Sequence, residues 1–287
     1  MHLIEAKTIL SPRNGMNLYR GCTHGCIYCD SRSKCYQPTE PFEDIAVKAN
    51  APQLLEQALR RKRRRCMIGT GSMCDPYMPA EQELGLTRTC LELIRKYGFG
   101  ATVLTKSDLV LRDLDLLAEI NAQAKSVVQM TLTTCDESLC RIIEPHVCTT
   151  KRRFEVLCRM HEAGIPTVVW LSPALPFLND TKENLYGLLR YCVKAHVKGI
   201  VCFGIGMTLR EGDREYYYAA LDRHFPGLRA RYEITYGDAY EIVSPNHTAL
   251  MPLFHAICEK HGILHTPEDC FAYLNTLPET DTQLTLF

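Results

Sequence analysis

From residue 66 onward, short apolar and β-branched runs alternate with longer segments of helical periodicity. This alternation is typical of strand–helix–strand units that build a parallel sheet. It predicts strands at residues 16–19, 66–69, 101–105, 127–132, 167–171 and 200–204. Parallel strands with crossover helices allow an open doubly wound sheet or a full or partial barrel, and periodicity alone does not choose between them.

The alternation fades after residue 207, where residues 210–225 and 247–262 have the pattern of further helices. We therefore divide the chain into a strand–helix region at 1–206, a helical C-terminal extension at 207–276 and a tail at 277–287. The tail is polar and rich in threonine before its last residues.

Charge and cysteine content restrict the compartment and the partners. The 33 basic residues balance the 33 acidic ones, so the chain as a whole does not attract an anionic partner. Any such partner must bind to a local patch of positive charge. The N-terminus lacks a signal-peptide pattern, and no apolar run approaches the roughly 18 residues of a membrane span. The 15 cysteines of this long chain suit a reducing compartment better than a disulfide scaffold. We expect a soluble, cytoplasmic protein without a membrane partner.

Three cysteines, Cys22, Cys26 and Cys29, stand within one loop at residues 21–33. Structural zinc usually takes four ligands in two separated pairs, which this trio does not supply. An iron–sulfur cluster normally takes four cysteines, so three would leave one iron open to another ligand. Gly21 and Gly25 allow the loop to fold its thiols inward.

Cys35 is the rival fourth ligand. If Cys35 coordinates iron, the site is a closed electron-transfer cluster. A non-catalytic iron–sulfur or zinc protein is therefore an alternative to an enzyme.

The stretch "CTHGCIYC" resembles the signature of the radical S-adenosylmethionine (SAM) enzymes. The resemblance implies that Cys22, Cys26 and Cys29 hold a [4Fe-4S] cluster whose open iron binds the amino and carboxylate groups of SAM. It places Tyr28 beside the adenine and implies a partial (β/α)6 barrel. An electron from an external donor would cleave the cofactor to a 5′-deoxyadenosyl radical, which takes a hydrogen atom from the substrate.

Further stretches resemble the group related to spore photoproduct lyase, which reverses a thymine photodimer in DNA. The resemblance implies that Lys106 meets the SAM carboxylate and that Thr131 faces its ribose. The stretches are "GTGSMCDPYMPAEQELGLTR", "TVLTKSDLVLRDLDLL", "MTLTTCDE", "IIEP" and "AGIPTVVWLSPALPFLND".

The segment "SMCD" corresponds to the place where that lyase carries a hydrogen-donating cysteine. Ser72 occupies the matching position, and Cys74 would share its side if the backbone were extended. We predict Cys74 as the hydrogen donor. Ser72 and Asp75 are assigned to the cofactor site, with Asp75 orienting the turn through its side chain.

Two features bear on a nucleic-acid partner. "RRKRRR", at residues 60–65, suits either a solvated helix end or a phosphate-binding patch, and the absence of interleaved aromatic residues favours the first. The tail ends in Gln283, Leu284, Thr285, Leu286 and Phe287, which resembles the peptide that docks bacterial repair proteins into the sliding clamp. Folding back on its own domain is the alternative for this tail.

The sequence thus predicts a radical SAM enzyme, possessing a [4Fe-4S] cluster and SAM, that acts as a lyase on DNA or a nucleotide-like substrate. A radical SAM enzyme acting on a peptide or small metabolite is the second hypothesis. The non-catalytic metal-binding protein is the third.

Overall fold

The computed structural model describes residues 1–36 and 40–278. The strands are β1 (His2–Ile4), β2 (Gly15–Met16), β3 (Tyr19–Arg20), β4 (Ala46–Lys48), β5 (Met67–Thr70), β6 (Gly100–Thr105), β7 (Ser126–Thr131), β8 (Thr167–Trp170), β9 (Gly199–Val201), β10 (Gly206–Thr208) and β11 (Glu241–Val243). The helices are α1 (Ala51–Arg61), α2 (Glu81–Leu84), α3 (Leu86–Lys96), α4 (Leu114–Gln123), α5 (Glu137–Ile143), α6 (Thr150–Glu162), α7 (Lys182–Lys194), α8 (Asp213–His224), α9 (Leu228–Tyr236), α10 (His247–Lys260) and α11 (Pro267–Asn275).

The main sheet has six strands in the order β2-β5-β6-β7-β8-β9, and every neighbouring pair is parallel. A doubly wound sheet reverses its strand order at a switch point, whereas this order follows the sequence throughout. The strand order therefore excludes the doubly wound sheet and identifies the fold as a barrel. The predicted α/β fold, a partial (β/α)6 barrel, is confirmed.

The first predicted strand, at residues 16–19, is wrong in its extent. Strand β2 ends at Met16, and the chain then leaves the main sheet. The carbonyl of Leu18 accepts from the Lys48 amide at 3.1 Å, and Tyr19 pairs with Val47. Residues beyond 18 therefore belong to a small sheet of order β1-β4-β3. The other five predicted strands each overlap an observed barrel strand.

Helix α11 closes the amino-terminal end of the barrel. Cys270 and Leu274 of this helix pack against the inner side chains of Val127 and Val168. Lys125, just before β7, donates to the carbonyl of Thr276 at 2.9 Å. The opposite end, where the parallel strands finish, is left for a ligand.

The C-terminal extension is helical, as predicted, but it also contains strands β10 and β11, which pair antiparallel. The predicted boundary at residue 206 falls inside β10, which pairs with β11 in a separate two-stranded sheet. Tyr217 and Tyr232 of α8 and α9 lie in the same buried cluster as Ile27 and Tyr28. The extension therefore supports the cysteine loop from one side. The peptide Gln283–Phe287 lies outside the described residues.

No helix among residues 1–36 and 40–278 is long and apolar enough to cross a membrane.

Candidate active site

A cavity of about 610 Å³ opens at the carboxyl ends of the barrel strands. This volume lies within the range of cofactor and small-molecule sites. All of the residues that the sequence predicts for the site line it, namely Cys22, Cys26, Tyr28, Cys29, Ser72, Cys74, Asp75, Lys106 and Thr131. Residues that lie far apart in the chain therefore meet in one place.

Two glycines shape the cysteine loop. Gly21 has φ +84°, and a Cβ there would lie 2.4 Å from the carbonyl oxygen of Phe42. Gly25 has φ +69°, and its Cβ would lie 2.9 Å from the ring of His146. A larger residue at either position would be strained as well as crowded. These glycines let the loop lie close against its neighbours.

The donor set of the loop suits an iron–sulfur cluster. Burial raises the pKa of Cys26 to about 12 and also raises the pKa of Cys22. Such thiols keep their protons unless a metal takes their place. The described residues contain no group of three or more His, Cys, Asp or Glu arranged around a single metal ion. In a cluster, by contrast, the three thiolates bind three different irons.

Tyr28 anchors the loop to the neighbouring strand–helix unit. Its hydroxyl donates to the carboxylate of Glu144, whose other oxygen lies 2.6 Å from Arg153 Nη2. Arg153 also donates to the backbone carbonyl of Thr131 at 3.1 Å. The Glu144 and Arg153 side chains are fully buried, so this network fixes the loop relative to β7.

Sequence reasoning missed the roles of Glu144 and Arg153. Glu144 lies in the "IIEP" stretch, which the sequence singles out only through the resemblance. A buried arginine beside it could be found from the apolar face of α6, where position 153 falls between buried residues.

Asp75 holds the turn after β5 against β6. Its carboxylate accepts from the amide of Tyr77 at 2.9 Å, as the predicted side-chain turn requires, and from Thr105 and the Lys106 amide. His24 Nε2 lies 2.9 Å from its second oxygen. Although burial opposes it, this neighbourhood lowers the pKa of Asp75 to about 2. Both carboxylate oxygens are therefore occupied within the protein.

Lys106 lines the cavity beside two cysteines of the loop, Cys26 and Cys29. Burial lowers its pKa, but the neighbouring Cys26, Glu144 and Cys29 outweigh burial and raise it overall. Its ammonium lies 5.8 Å from the ring centroid of Tyr28. No salt bridge to Lys106 occurs within the described part of the chain. An anionic group entering the cavity would find this ammonium available.

Ser72 and Cys74 do not lie on an extended backbone, because the chain bends at residues 72–74. Ser72 is exposed at the cavity, whereas Cys74 is buried and its thiol donates to the carbonyl of Tyr19 at 3.1 Å. Burial raises the pKa of Cys74 to about 12, so its sulfur keeps its hydrogen at neutral pH. The segment therefore brings both side chains to the cavity by a bend.

Cys35 does not share the cavity of the other three cysteines. It is exposed, does not line the cavity, and has Arg210 Nη1 3.4 Å from its sulfur. Arg210 also pairs with Asp30 at 3.2 Å. This arrangement ties the end of the cysteine loop to the C-terminal extension.

The basic run at residues 60–65 lies at the other end of the barrel. It directly precedes β5, whose carboxyl end faces the cavity. Arg60 pairs with Glu56 and donates to the hydroxyl of Tyr97, while Lys62 donates to Asn14. These contacts favour the interpretation of a solvated helix end.

The comparisons with known proteins agree with this geometry. The family model of the radical SAM superfamily matches residues 16–216. The chain belongs to the radical SAM superfamily. An uncharacterized protein of Mycobacterium tuberculosis strain H37Rv is 33% identical over 230 residues, which are 78% of this chain and 67% of that protein. An uncharacterized protein of Methanocaldococcus jannaschii is 33% identical over 187 residues, covering 62% of this chain and 69% of that protein.

Solved structures of radical SAM proteins have the same fold. A spore photoproduct lyase C140S mutant matches with TM-score 0.67 at 14% identity, covering 92% of this chain and 81% of that chain. A radical SAM methyltransferase from Kitasatospora setae, with cobalamin and a [4Fe-4S] cluster bound, matches with TM-score 0.50 at 14% identity, covering 68% and 34%. The radical SAM family uses a [4Fe-4S] cluster and SAM, which confirms the predicted cofactors.

Proposed function

We propose that this radical SAM protein is a lyase that acts on a DNA lesion of the pyrimidine photoproduct kind or a related nucleotide substrate. One observation carries the proposal. Three thiols and a free ammonium share a cavity on a barrel whose fold matches spore photoproduct lyase over 92% of the chain. The sequence stretches shared with that group support it further.

In this proposal Cys22, Cys26 and Cys29 hold the [4Fe-4S] cluster, and Lys106, a half-buried cation on the cavity wall, binds the carboxylate of SAM. When bound, the cluster and SAM supply a 5′-deoxyadenosyl radical that takes a hydrogen atom from the substrate. The exposed position of Cys35, outside the cavity, supports an open iron.

The remaining site residues orient the cofactors. Tyr28 and Thr131 line the cavity where the adenosine would lie, and the Glu144 network holds both. Ser72 faces the cavity directly. Asp75 acts as a positioning residue, because its oxygens hold the Lys106 amide and the turn.

In this account the S–H bond of Cys74 breaks as a C–H bond forms on the product radical. The thiyl radical that remains on Cys74 takes an electron from the external donor and a proton from solvent, which restores the thiol. Its raised pKa keeps the sulfur protonated, which is the form that a hydrogen-atom donor needs. The cavity gives a product radical a route to this buried thiol.

The proposed partners are DNA, an external electron donor and the sliding clamp of the bacterial replication machinery, bound through Gln283–Phe287. We place the reaction in the cytoplasm, where reduced thiols persist. The described chain ends near Gly100, since Leu277 lies 2.8 Å from the place of its Cβ.

The test uses protein reconstituted anaerobically with iron and sulfide, reduced with dithionite and given SAM and dinucleoside spore photoproduct. The proposal expects two thymidines from each photoproduct, measured by chromatography, and none from Cys26→Ala. If SAM is cleaved while the photoproduct is untouched, the DNA proposal is wrong. Turnover of a peptide or small metabolite would then identify the substrate class.

A further inference from the structure

An exposed phenylalanine stands on the wall of the cavity. Phe203 follows β9, lines the cavity and is 61% exposed. Its ring centroid lies 6.0 Å from that of Trp170 and 6.2 Å from that of Phe271. One side of Phe203 is thus backed by aromatic rings. An aromatic ring held in this way offers a surface for stacking a planar group.

Hydrogen bonds hold the aromatic wall in place. Trp170 Nε1 donates to Gln129 Oε1 at 2.7 Å, and Gln129 Nε2 donates to Thr102 Oγ1 at 2.6 Å. This chain crosses three adjacent strands, β8, β7 and β6. A ligand that stacks on the wall therefore need not order it first.

His247 lines the same cavity and has a defined tautomer. The amide of Ile205 donates to its Nδ1 at 3.2 Å, so in the neutral ring Nε2 carries the hydrogen. No described residue accepts from that Nε2. Gly204 makes room for the ring, since a Cβ there would lie 2.9 Å from His247 Cε1, and its φ is +116°.

We propose that Phe203 and His247 form the subsite for a planar, carbonyl-bearing ring of the substrate, such as a pyrimidine base. The ring stacks on Phe203, and one of its carbonyl oxygens accepts from His247 Nε2. This inference rests on the proposed function, because it supplies the contacts by which the cavity would select a nucleobase.

Trp170 is the sole tryptophan of the chain, so intrinsic fluorescence reports on this wall. The test titrates the reconstituted protein with SAM and thymidylyl-thymidine, and with a dinucleotide of the same charge whose two residues are abasic. We expect thymidylyl-thymidine to quench the Trp170 fluorescence saturably and the abasic dinucleotide to leave it unchanged. SAM cleavage to 5′-deoxyadenosine is measured in the same preparations.

The variants separate stacking from the hydrogen bond. Phe203→Leu should weaken binding about fivefold or more, while Phe203→Tyr keeps the ring and should bind as wild type. His247→Asn keeps an acceptor for the Ile205 amide but loses the Nε2 donor, so binding should weaken about twofold to tenfold. Because Phe203 is largely exposed, both Phe203 variants are expected to fold.

Unchanged affinity in Phe203→Leu, with normal binding by wild type, would overturn the subsite and leave the proposed function standing. Equal binding of the abasic probe would also overturn the subsite. If the variants lose affinity while the photoproduct is not converted, the subsite is supported and the proposed reaction fails. If wild type binds neither probe, the subsite is overturned, and conversion of the photoproduct decides the proposed function separately.

Discussion

Glu144 and Arg153 form an ion pair of 2.6 Å between two fully buried side chains, and the hydroxyl of Tyr28 completes it. The pair joins the cysteine loop to β7 and α6. Burial of two charges is tolerated because each has further hydrogen-bonding partners, including the carbonyls of Cys148 and Thr131 for the arginine. The loop position therefore depends on a charge pair far from the cysteines in sequence.

Glu144→Gln should destabilise the protein by about 3 kcal/mol, because it leaves the Arg153 charge buried without its counter-charge. Urea unfolding measures this change, and iron content after reconstitution should fall with it. Glu162→Gln is the matched control, since Glu162 pairs with Arg159 at an exposed site and should change stability by less than about 1 kcal/mol. Equal effects of the two substitutions would contradict the anchoring role.

Cys74→Ala should leave SAM cleavage intact but prevent return of a hydrogen atom to the product. With photoproduct substrate in D₂O, the exchangeable thiol of wild type carries deuterium into the product. We expect this deuterium to be lost and product formation to fall about tenfold or more. Cys90→Ala is the matched control, because Cys90 is also buried, with a pKa near 12, but lies off the cavity. Deuterated product from Cys74→Ala would refute the role.

Asp213 should make stability depend on pH. Burial raises its pKa from 3.8 to about 6, with nearby Asp30 adding to the shift. A raised folded-state pKa means that stability present at low pH is lost as pH rises through about 6. Asp213→Asn should therefore gain stability relative to wild type between pH 5 and pH 7.5, on the order of 1 kcal/mol.

Urea unfolding of Asp213→Asn at the two pH values measures this gain. Asp222→Asn, at an exposed position, should show no such change. A constant difference between Asp213→Asn and wild type would show that the carboxyl is not perturbed.

The C-terminal peptide of residues 277–287 should bind a purified bacterial sliding clamp. The two leucines and the phenylalanine provide the apolar contacts, and Gln283 fixes the register. Leu286→Ala or Phe287→Ala should weaken binding about tenfold, while Thr282→Ala should not. Fluorescence anisotropy measures the affinity. If the wild-type peptide does not bind the clamp, the proposal of a clamp partner is wrong.

Much of the barrel was predictable because its strands are buried apolar runs separated by helices. Strand β7, for example, is buried along its whole length, and the prediction is shifted from it by one residue. Strand β2 was predicted too long, because pairing of Tyr19 with Val47 depends on a tertiary contact that periodicity does not encode. The short strands β10 and β11 have only three residues each and leave too little pattern to detect.

The predicted site residues all reach the cavity because they follow strands or lie in the cysteine loop, and parallel strands finish at one end. The bend at residues 72–74 was not predicted, since the expected alignment assumed an extended chain. His247 and Phe203 were missed for another reason. They come from α10 and from the residues after β9, and only the folded chain brings them together.

The most direct test of the central claim is 5′-deoxyadenosine formation by the anaerobically reconstituted and reduced protein with SAM. Wild type and Cys35→Ala should both release it, while Cys26→Ala should release none. This result would establish an open cluster held by the three cysteines of the loop. A well-formed cluster in wild type that yields no 5′-deoxyadenosine, or loss of the cluster in Cys35→Ala, would contradict the account.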